Sequence, residues 1–136
     1  MEVEIFTLSD YAENFNGKLV IMGTFDSIFG SITPIKHPVC ALSLRLRFAK
    51  SEIGQHTMRI KLINPNQKVL QTIDAQLQVN EPNSGVDYTS INTVLRFGNL
   101  EFDSFGKYSF ELYIDDEWSR GLPLNFVKTA RQLKAA

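Results

Sequence analysis

The segment from Gly106 to Glu117 constrains the fold of this chain more than any other part of the sequence. Apolar and polar residues alternate along it, and the apolar positions are occupied by Tyr108, Phe110, Leu112 and Ile114. A period of two indicates a β-strand with one face on a hydrophobic core. The segment therefore predicts a sheet protein, and it carries no residue pattern that points to a particular chemistry.

The same alternation recurs along the rest of the chain, with turn-forming residues between the segments. It is clearest in residues 40–48, 58–62 and 73–79. Asparagine, glycine and proline separate these stretches and are the residues that turns require. We count about eight strands at a spacing of roughly 10–15 residues, which favours an antiparallel sandwich or barrel over alternating strands and helices.

The fold that these observations predict is an all-β, immunoglobulin-like antiparallel β-sandwich of about seven to nine strands, with a β-barrel as the alternative. Gly106 stands two residues before Tyr108, a spacing typical of the tyrosine corner in such sandwiches. We expect residues 1–128 to form a single domain. Residues 129–136 are expected to be a frayed or helical tail, because they carry only one large apolar side chain.

Two local expectations accompany this prediction. Residues 10–15 could form one helical turn. Pro123 lies in the last predicted strand, and proline cannot donate to a strand ladder. The last strand is therefore expected to lie at a sheet edge or to begin with a bulge.

Composition restricts the location and the partners. The 136 residues include 14 Lys and Arg against 15 Asp and Glu, so a net charge of −1 disfavours nucleic acid as a partner. Cys40 is the single cysteine and cannot form an intramolecular disulfide. The first residues lack the pattern of a secretory signal, and no apolar stretch is long enough to span a membrane. A cytoplasmic protein without a membrane partner is expected.

Three stretches resemble a known bacterial family. Residues 1–12, continuing through Asn16-Gly17-Lys18-Leu19 and Gly23-Thr24-Phe25-Asp26, resemble the opening of the bacterial domain-of-unknown-function family number 6941. His37-Pro38-Val39-Cys40-Ala41-Leu42 and Gly106-Lys107-Tyr108-Ser109-Phe110 are similar to its later motifs. The resemblance implies a small intracellular bacterial β-sandwich with no assigned activity, and it brings no catalytic residue with it.

The residues that could support catalysis or bind a metal are few. His37 and Cys40 are separated by two residues, and His56 is the only other histidine. A catalytic zinc site needs three protein ligands, so these residues would have to converge from different strands. The alternative is a buried Cys40 that packs as a small apolar residue. No nucleophile-elbow or phosphate-loop motif is present. We therefore expect neither an enzyme nor a bound cofactor or metal.

Four basic residues give the strongest indication of a ligand site: Arg45, Arg47, Arg59 and Lys61. If residues 40–48 and 56–63 form a hairpin, all four project from one sheet surface, and this stripe could bind an anionic ligand. The alternative is a solvated face on which acidic neighbours compensate the charges.

Two aromatic residues are candidates for a protein interface. Tyr113 projects from the outer face of its strand, and Trp118 follows the acidic turn at residues 115–117. Exposed tyrosine and tryptophan commonly anchor interfaces. Packing beneath a neighbouring loop is the alternative. The function predicted from the sequence is a non-catalytic interaction module that binds a protein partner or a second copy of itself.

Overall fold

The computed structural model describes residues 1–130, and these residues form nine β-strands and one short 3-10 helix at Lys50–Glu52. The strands are β1 Glu2–Phe15, β2 Lys18–Thr24, β3 Ser27–Gly30, β4 Ile35–Ala49, β5 Gly54–Ile63, β6 Val69–Val79, β7 Tyr88–Phe102, β8 Gly106–Ile114 and β9 Glu117–Lys128. No α-helix occurs within residues 1–130. The predicted all-β class and the number of strands are confirmed. Most of the predicted C-terminal tail lies outside the described residues.

The strands form two sheets. Sheet A has the order β2-β1-β4-β7, and sheet B has the order β3-β9-β8-β5-β6. Neighbouring strands are antiparallel, apart from β3, which pairs in parallel with the end of β9. The 3-10 helix connects β4 in sheet A to β5 in sheet B. Strands that follow each other in the sequence therefore belong to different sheets at this point.

Apolar side chains from both sheets meet in one core. Leu42, Leu44, Leu46 and Phe48 of β4 are fully buried, as the alternation in residues 40–48 predicts. In β8 the four apolar positions that alternate from Tyr108 to Ile114 are all buried. This burial confirms that the opening pattern describes a strand with one face on a core.

The connection between β7 and β8 is held by the side chain of Tyr108. Its hydroxyl donates a hydrogen bond of 2.7 Å to the carbonyl oxygen of Ser104, four residues earlier. Gly106, between them, has a φ of +136°, and an added Cβ would lie 2.8 Å from Cγ of Pro65. Only glycine combines this backbone conformation with so close a neighbour.

Two local predictions can be compared with the structure. Residues 10–15 continue strand β1 and do not form a helical turn, so that prediction was wrong. The strand that contains Pro123 lies between β3 and β8. Its register shifts near its start, and Pro123 precedes the stretch of β9 that pairs with β3. The missing N–H group of Pro123 therefore interrupts no pairing with β3.

Candidate functional site

The first two strands form a hairpin whose outer part leaves the β1–β4 pairing. Strand β1 pairs with β4 only as far as Ser9, and from Tyr11 onward it pairs with β2 alone. Asn16 and Gly17 close the hairpin with φ angles of +51° and +75°. Positive φ at both central residues matches a type I′ turn, for which Asn-Gly is the preferred pair.

One side of this hairpin packs on the outer face of sheet A. Arg96 of β7 donates a hydrogen bond of 3.0 Å to the carbonyl of Ala12, and the Asn92 amide donates one of 2.9 Å to the carbonyl of Gly17. Small residues allow this close approach: Ser9, Ala12, Ala41 and Ser43 are all buried, although the last two point away from the core. The hairpin therefore adds a partial third layer to the fold.

The other side of the hairpin is an exposed apolar surface, which we call the hairpin face: Tyr11, Phe15, Val20 and Met22. The register places Tyr11 opposite Met22 and Phe15 opposite Lys18. Phe15 and Met22 each retain 60% of their side-chain exposure. No residue within 1–130 packs on these side chains closely enough to bury them. A contiguous exposed apolar patch is typical of an interaction surface.

Two charged groups lie within the hairpin face, on the same side as its apolar residues, and Glu13 stands between Tyr11 and Phe15 on β1. Glu13 pairs with Val20, and Lys18 lies one row away at the tip. The Tyr11 hydroxyl donates a hydrogen bond of 2.7 Å to Glu13. That hydrogen bond and the negative charge of Glu13 raise the pKa of Tyr11. The face thus carries one carboxylate and one ammonium group beside its four apolar side chains.

The four basic residues do not form the single stripe that the sequence suggested. Strand β4, which carries Arg45 and Arg47, belongs to sheet A, whereas Arg59 and Lys61 lie on β5 in sheet B. The expected hairpin between these two strands was therefore wrong. The two pairs of basic residues project from different sheets and cannot bind one small anion together.

Acidic or aromatic groups accompany all four of these cations. Arg47 lies 2.9 Å from Glu2 and 3.3 Å from Glu4, and Arg45 lies 3.9 Å from the same Glu4 carboxylate. Arg59 contacts Asp74 at 2.6 Å and Asp116 at 3.6 Å. The Lys61 ammonium lies 4.8 Å from the centre of the Tyr113 ring and opposite Glu111. These contacts match the solvated-face alternative, while the ligand assignment stays a prediction.

The two predicted interface aromatics lie together on the outer face of sheet B. Tyr113 is paired with Trp118 across the β8–β9 hairpin, and Tyr113 is half-buried beneath Lys61. Trp118 is 60% exposed, and its indole N–H donates a hydrogen bond of 2.9 Å to Glu111. Their role at an interface stays a prediction, and Trp118 is the more accessible of the two.

His37, Cys40 and His56 do not meet. His37 lies beside Phe25 near the start of β4, whereas His56 packs on Phe48 near the end of the same strand. Within the described part of the chain, no group of three or more His, Cys, Asp and Glu side chains is placed to hold a metal. Cys40 is buried, and burial together with the charge of Asp10 raises the pKa of its thiol to about 11.

His56 has a structural role at one end of sheet B. Its Nδ1 lies 2.6 Å from the Asp115 carboxylate and its Nε2 lies 2.6 Å from the Glu52 carbonyl. Both partners accept hydrogen bonds, so the doubly protonated ring satisfies both. These hydrogen bonds raise the pKa of His56, and the bond to Asp115 contributes most. The histidine ties the 3-10 helix to the β8–β9 turn.

A polar cleft of about 480 Å³ lies beside the hairpin tip. Its walls come from the hairpin, from the outer face of β4 and β7, and from the loop between β6 and β7. The residues that line it are mainly amides and hydroxyls: Asn14, Asn80, Asn83, Asn92, Thr89 and Ser90. Arg45 is the only one of the four predicted basic residues that reaches it.

Comparison with known families gives one match. The model of a family of unknown function, DUF6941, matches residues 4–127. The chain belongs to this family. The match covers nearly all of the nine-strand fold of this DUF6941 protein and confirms the resemblance of its short motifs. The family description assigns no activity.

One further comparison and one structural finding leave the function of this DUF6941 protein open. No curated protein matches the chain. Among the described residues, no helix is long and apolar enough to cross a membrane. Neither finding selects a function, so the function must be argued from the surface of the protein.

The sequence contained one signal for the hairpin face. Residues 19–22 are four consecutive apolar residues, and a continuous apolar run in a strand is typical of burial on both faces. In this hairpin, Leu19 and Ile21 are half-buried on one side, whereas Val20 and Met22 are exposed on the other. The run therefore indicated a second apolar face for which the described chain supplies no cover.

Proposed function

We propose that this DUF6941 protein is a non-catalytic interaction module that associates with a second copy of itself through the hairpin face. The exposed apolar side of the β1–β2 hairpin is the observation that carries this proposal. The hairpin is held on sheet A by hydrogen bonds from Arg96 and Asn92, so the face is presented on a fixed support. A fixed apolar surface loses little entropy when it binds.

The size of the face supports a reversible dimer. Its four apolar side chains expose roughly 400 Å² per copy, within the range of functional surface patches on monomers. Two copies would together bury about 800–1,000 Å², which is below the range of stable specific interfaces and typical of weak, transient ones. We therefore expect association that depends on protein concentration and is not obligate.

The charges of the hairpin face suit a twofold arrangement. Glu13 lies on β1 and Lys18 lies on β2, one row apart. If the hairpins of two copies stack with β1 over β2, each Lys18 lies over Phe15 of the other copy and close to its Glu13. Opposite charges then approach each other, and a cation lies over an aromatic ring. This self-complementarity favours a second copy as the occupant.

The arrangement of the two sheets supports a more specific fold class. We infer an immunoglobulin-like sandwich, supported by the parallel pairing of β3 with β9, by the adjacent strands β5, β8 and β9 in sheet B, and by the Tyr108–Ser104 hydrogen bond.

We also propose a cytoplasmic location. It is supported by the single buried Cys40, since secreted domains more commonly use disulfides.

Sedimentation velocity over a concentration series tests the proposed association. Phe15→Lys removes an apolar group from the hairpin face, and in the stacked arrangement its ammonium group would lie beside Lys18 of the other copy, so like charges repel. We expect the wild-type protein to dimerise reversibly and Phe15→Lys to weaken the association at least tenfold, about 1.4 kcal/mol.

Trp118→Lys is the matched control. Trp118 has the same 60% exposure as Phe15, and the new ammonium group would lie near Glu111. We expect this variant to dimerise like the wild type. A wild-type protein that stays monomeric at all concentrations contradicts the proposal. Dimerisation that is lost in Trp118→Lys and kept in Phe15→Lys would assign the interface to Tyr113 and Trp118.

A further inference from the structure

The cleft beside the hairpin tip has the dimensions of a small-molecule site. Its volume of about 480 Å³ is within the usual range for such sites. The lining contains one cation, Arg45, and one carboxylate, Glu81. The other lining residues are uncharged. The cleft is therefore polar but close to electrically neutral.

Hydrogen bonds fix the walls of the cleft relative to each other. Asn92 donates to the Gly17 carbonyl at 2.9 Å and accepts from the Arg45 guanidinium at 2.9 Å. On the opposite wall, the Thr89 hydroxyl donates to the Asn80 carbonyl at 2.7 Å. The hairpin turn, β4, β7 and the start of the β6–β7 loop are thus joined around one space, so the walls of the cleft are held in place before any ligand arrives.

The charge of Arg45 is already compensated. Besides its bond to Asn92, its guanidinium lies 3.9 Å from Glu4, which also contacts Arg47. A second anion would have to compete with that carboxylate and with Glu81 in the lining. A neutral ligand that accepts a hydrogen bond from the guanidinium meets no such competition.

The uncharged polar groups of the lining can bind ligand hydroxyl groups that donate a hydrogen bond as well as those that accept one. The side-chain amides of Asn80 and Asn83 each offer a donor and an acceptor. Tyr88 is 43% exposed at the rim and offers an aromatic surface and a phenol. Alternating donors and acceptors beside an aromatic ring match a sugar.

We propose that this cleft binds a neutral polyhydroxylated ligand, a mono- or disaccharide. Arg45, Asn80 and Asn83 would bind its hydroxyl groups, and the Tyr88 ring would contact its apolar C–H face. This binding does not depend on dimerisation, because Asn14 points to the cleft side of the hairpin and Phe15 to the hairpin face.

Titration of ¹⁵N-labelled protein with glucose, galactose, maltose and lactose, followed by amide chemical shifts, tests the proposal. We expect at least one sugar to give saturable shifts that include Asn83, Ser90 and Asn92. Asn83→Ala should weaken that binding at least fivefold. Ser84→Ala is the matched control, since Ser84 adjoins Asn83 in the same exposed loop but does not line the cleft.

Three results would overturn the proposal. In the first, none of the four sugars produces a saturable shift. In the second, Asn83→Ala and Ser84→Ala weaken binding equally, which would place the sugar outside the cleft. In the third, inorganic phosphate produces saturable shifts around Arg45 and displaces the sugar, which would make this an anion site.

Discussion

The hydroxyl of Tyr108 donates a hydrogen bond to the carbonyl of Ser104 over 2.7 Å, and this bond fixes the connection that leads into β8. Tyr108 is fully buried, so a water molecule on the core side cannot take the place of its hydrogen bond to Ser104. We predict that Tyr108→Phe lowers the free energy of unfolding by about 1–2 kcal/mol. Urea denaturation measures this loss, and Tyr113→Phe is the control. An equal loss in both variants would show that the Ser104 bond has no special role.

The conformation of Gly106 gives a second prediction. Gly106 and Gly54 have similar φ angles of +136° and +129°, but only at Gly106 would an added Cβ meet another atom, Cγ of Pro65 at 2.8 Å. Both Gly54→Ala and Gly106→Ala should be destabilised by the backbone strain, about 1–3 kcal/mol. Gly106→Ala should lose more because of the clash. Thermal unfolding measures both, and a Gly106→Ala that is no less stable than Gly54→Ala contradicts this explanation.

The bridge made by His56 predicts a pH-dependent stability. The hydrogen bond to Asp115, followed by that to the Glu52 carbonyl, raises the pKa of His56 in the folded protein. The stabilisation is fully present below the unfolded-state pKa of about 6.5. It is lost as the pH rises through the higher folded-state pKa. Urea denaturation should therefore show a contribution from His56 at pH 6 that has disappeared in alkaline solution.

His56→Gln isolates this contribution, because all other titrating groups are kept. The difference in unfolding free energy between wild type and His56→Gln should be largest near pH 6 and should shrink as the pH rises. Asp115 makes the stability of this bridge depend on pH in acidic solution as well. Its pKa is lowered by the bonds from His56 and from the Thr57 amide, so its stabilisation is lost as the pH falls below about 3.8. A difference that does not change between pH 6 and 9 would contradict the charged bridge.

The environment of Cys40 predicts an unreactive thiol. Burial raises its pKa to about 11, so the thiolate that attacks electrophiles is scarce at neutral pH. We expect a thiol reagent to label the folded wild-type protein at pH 8 far more slowly than the unfolded protein. A cysteine introduced at the exposed Ser84 should be labelled rapidly in the same assay. Comparable rates for the two cysteines would show that Cys40 is accessible.

The sequence predicted the strands well because the alternation of apolar and polar residues is a local property. Residues 40–48 and 106–114 each revealed which face would be buried without reference to any other strand. The partner of a strand is not a local property. Lys50–Glu52 forms a 3-10 helix that carries the chain from sheet A to sheet B. Apolar and polar residues alternate in β4 and β5 in the same way whether or not these two strands pair. The sequence pattern therefore could not show whether the four basic residues share one sheet surface.

The candidate sites depended even more on long-range contacts. The Asn16-Gly17 turn predicted a hairpin, but its position on sheet A depends on hydrogen bonds from Asn92 and Arg96, more than 70 residues away. The same contacts create the cleft. Arg45 was recognised as a possible ligand group from its outward position, whereas Asn83 and Ser90 carry no signal in a sequence rich in polar loops.

Paramagnetic labelling across two copies tests most directly whether the hairpin face binds a second hairpin face. Asn14→Cys protein without ¹⁵N carries a spin label on the side of the hairpin opposite to the hairpin face, while the buried Cys40 stays unmodified. It is mixed with ¹⁵N-labelled wild-type protein. We predict that the label broadens the amide signals of Tyr11, Phe15 and Val20 in the other copy. Broadening confined to the surroundings of Trp118, or none at concentrations that saturate any association, would contradict the account.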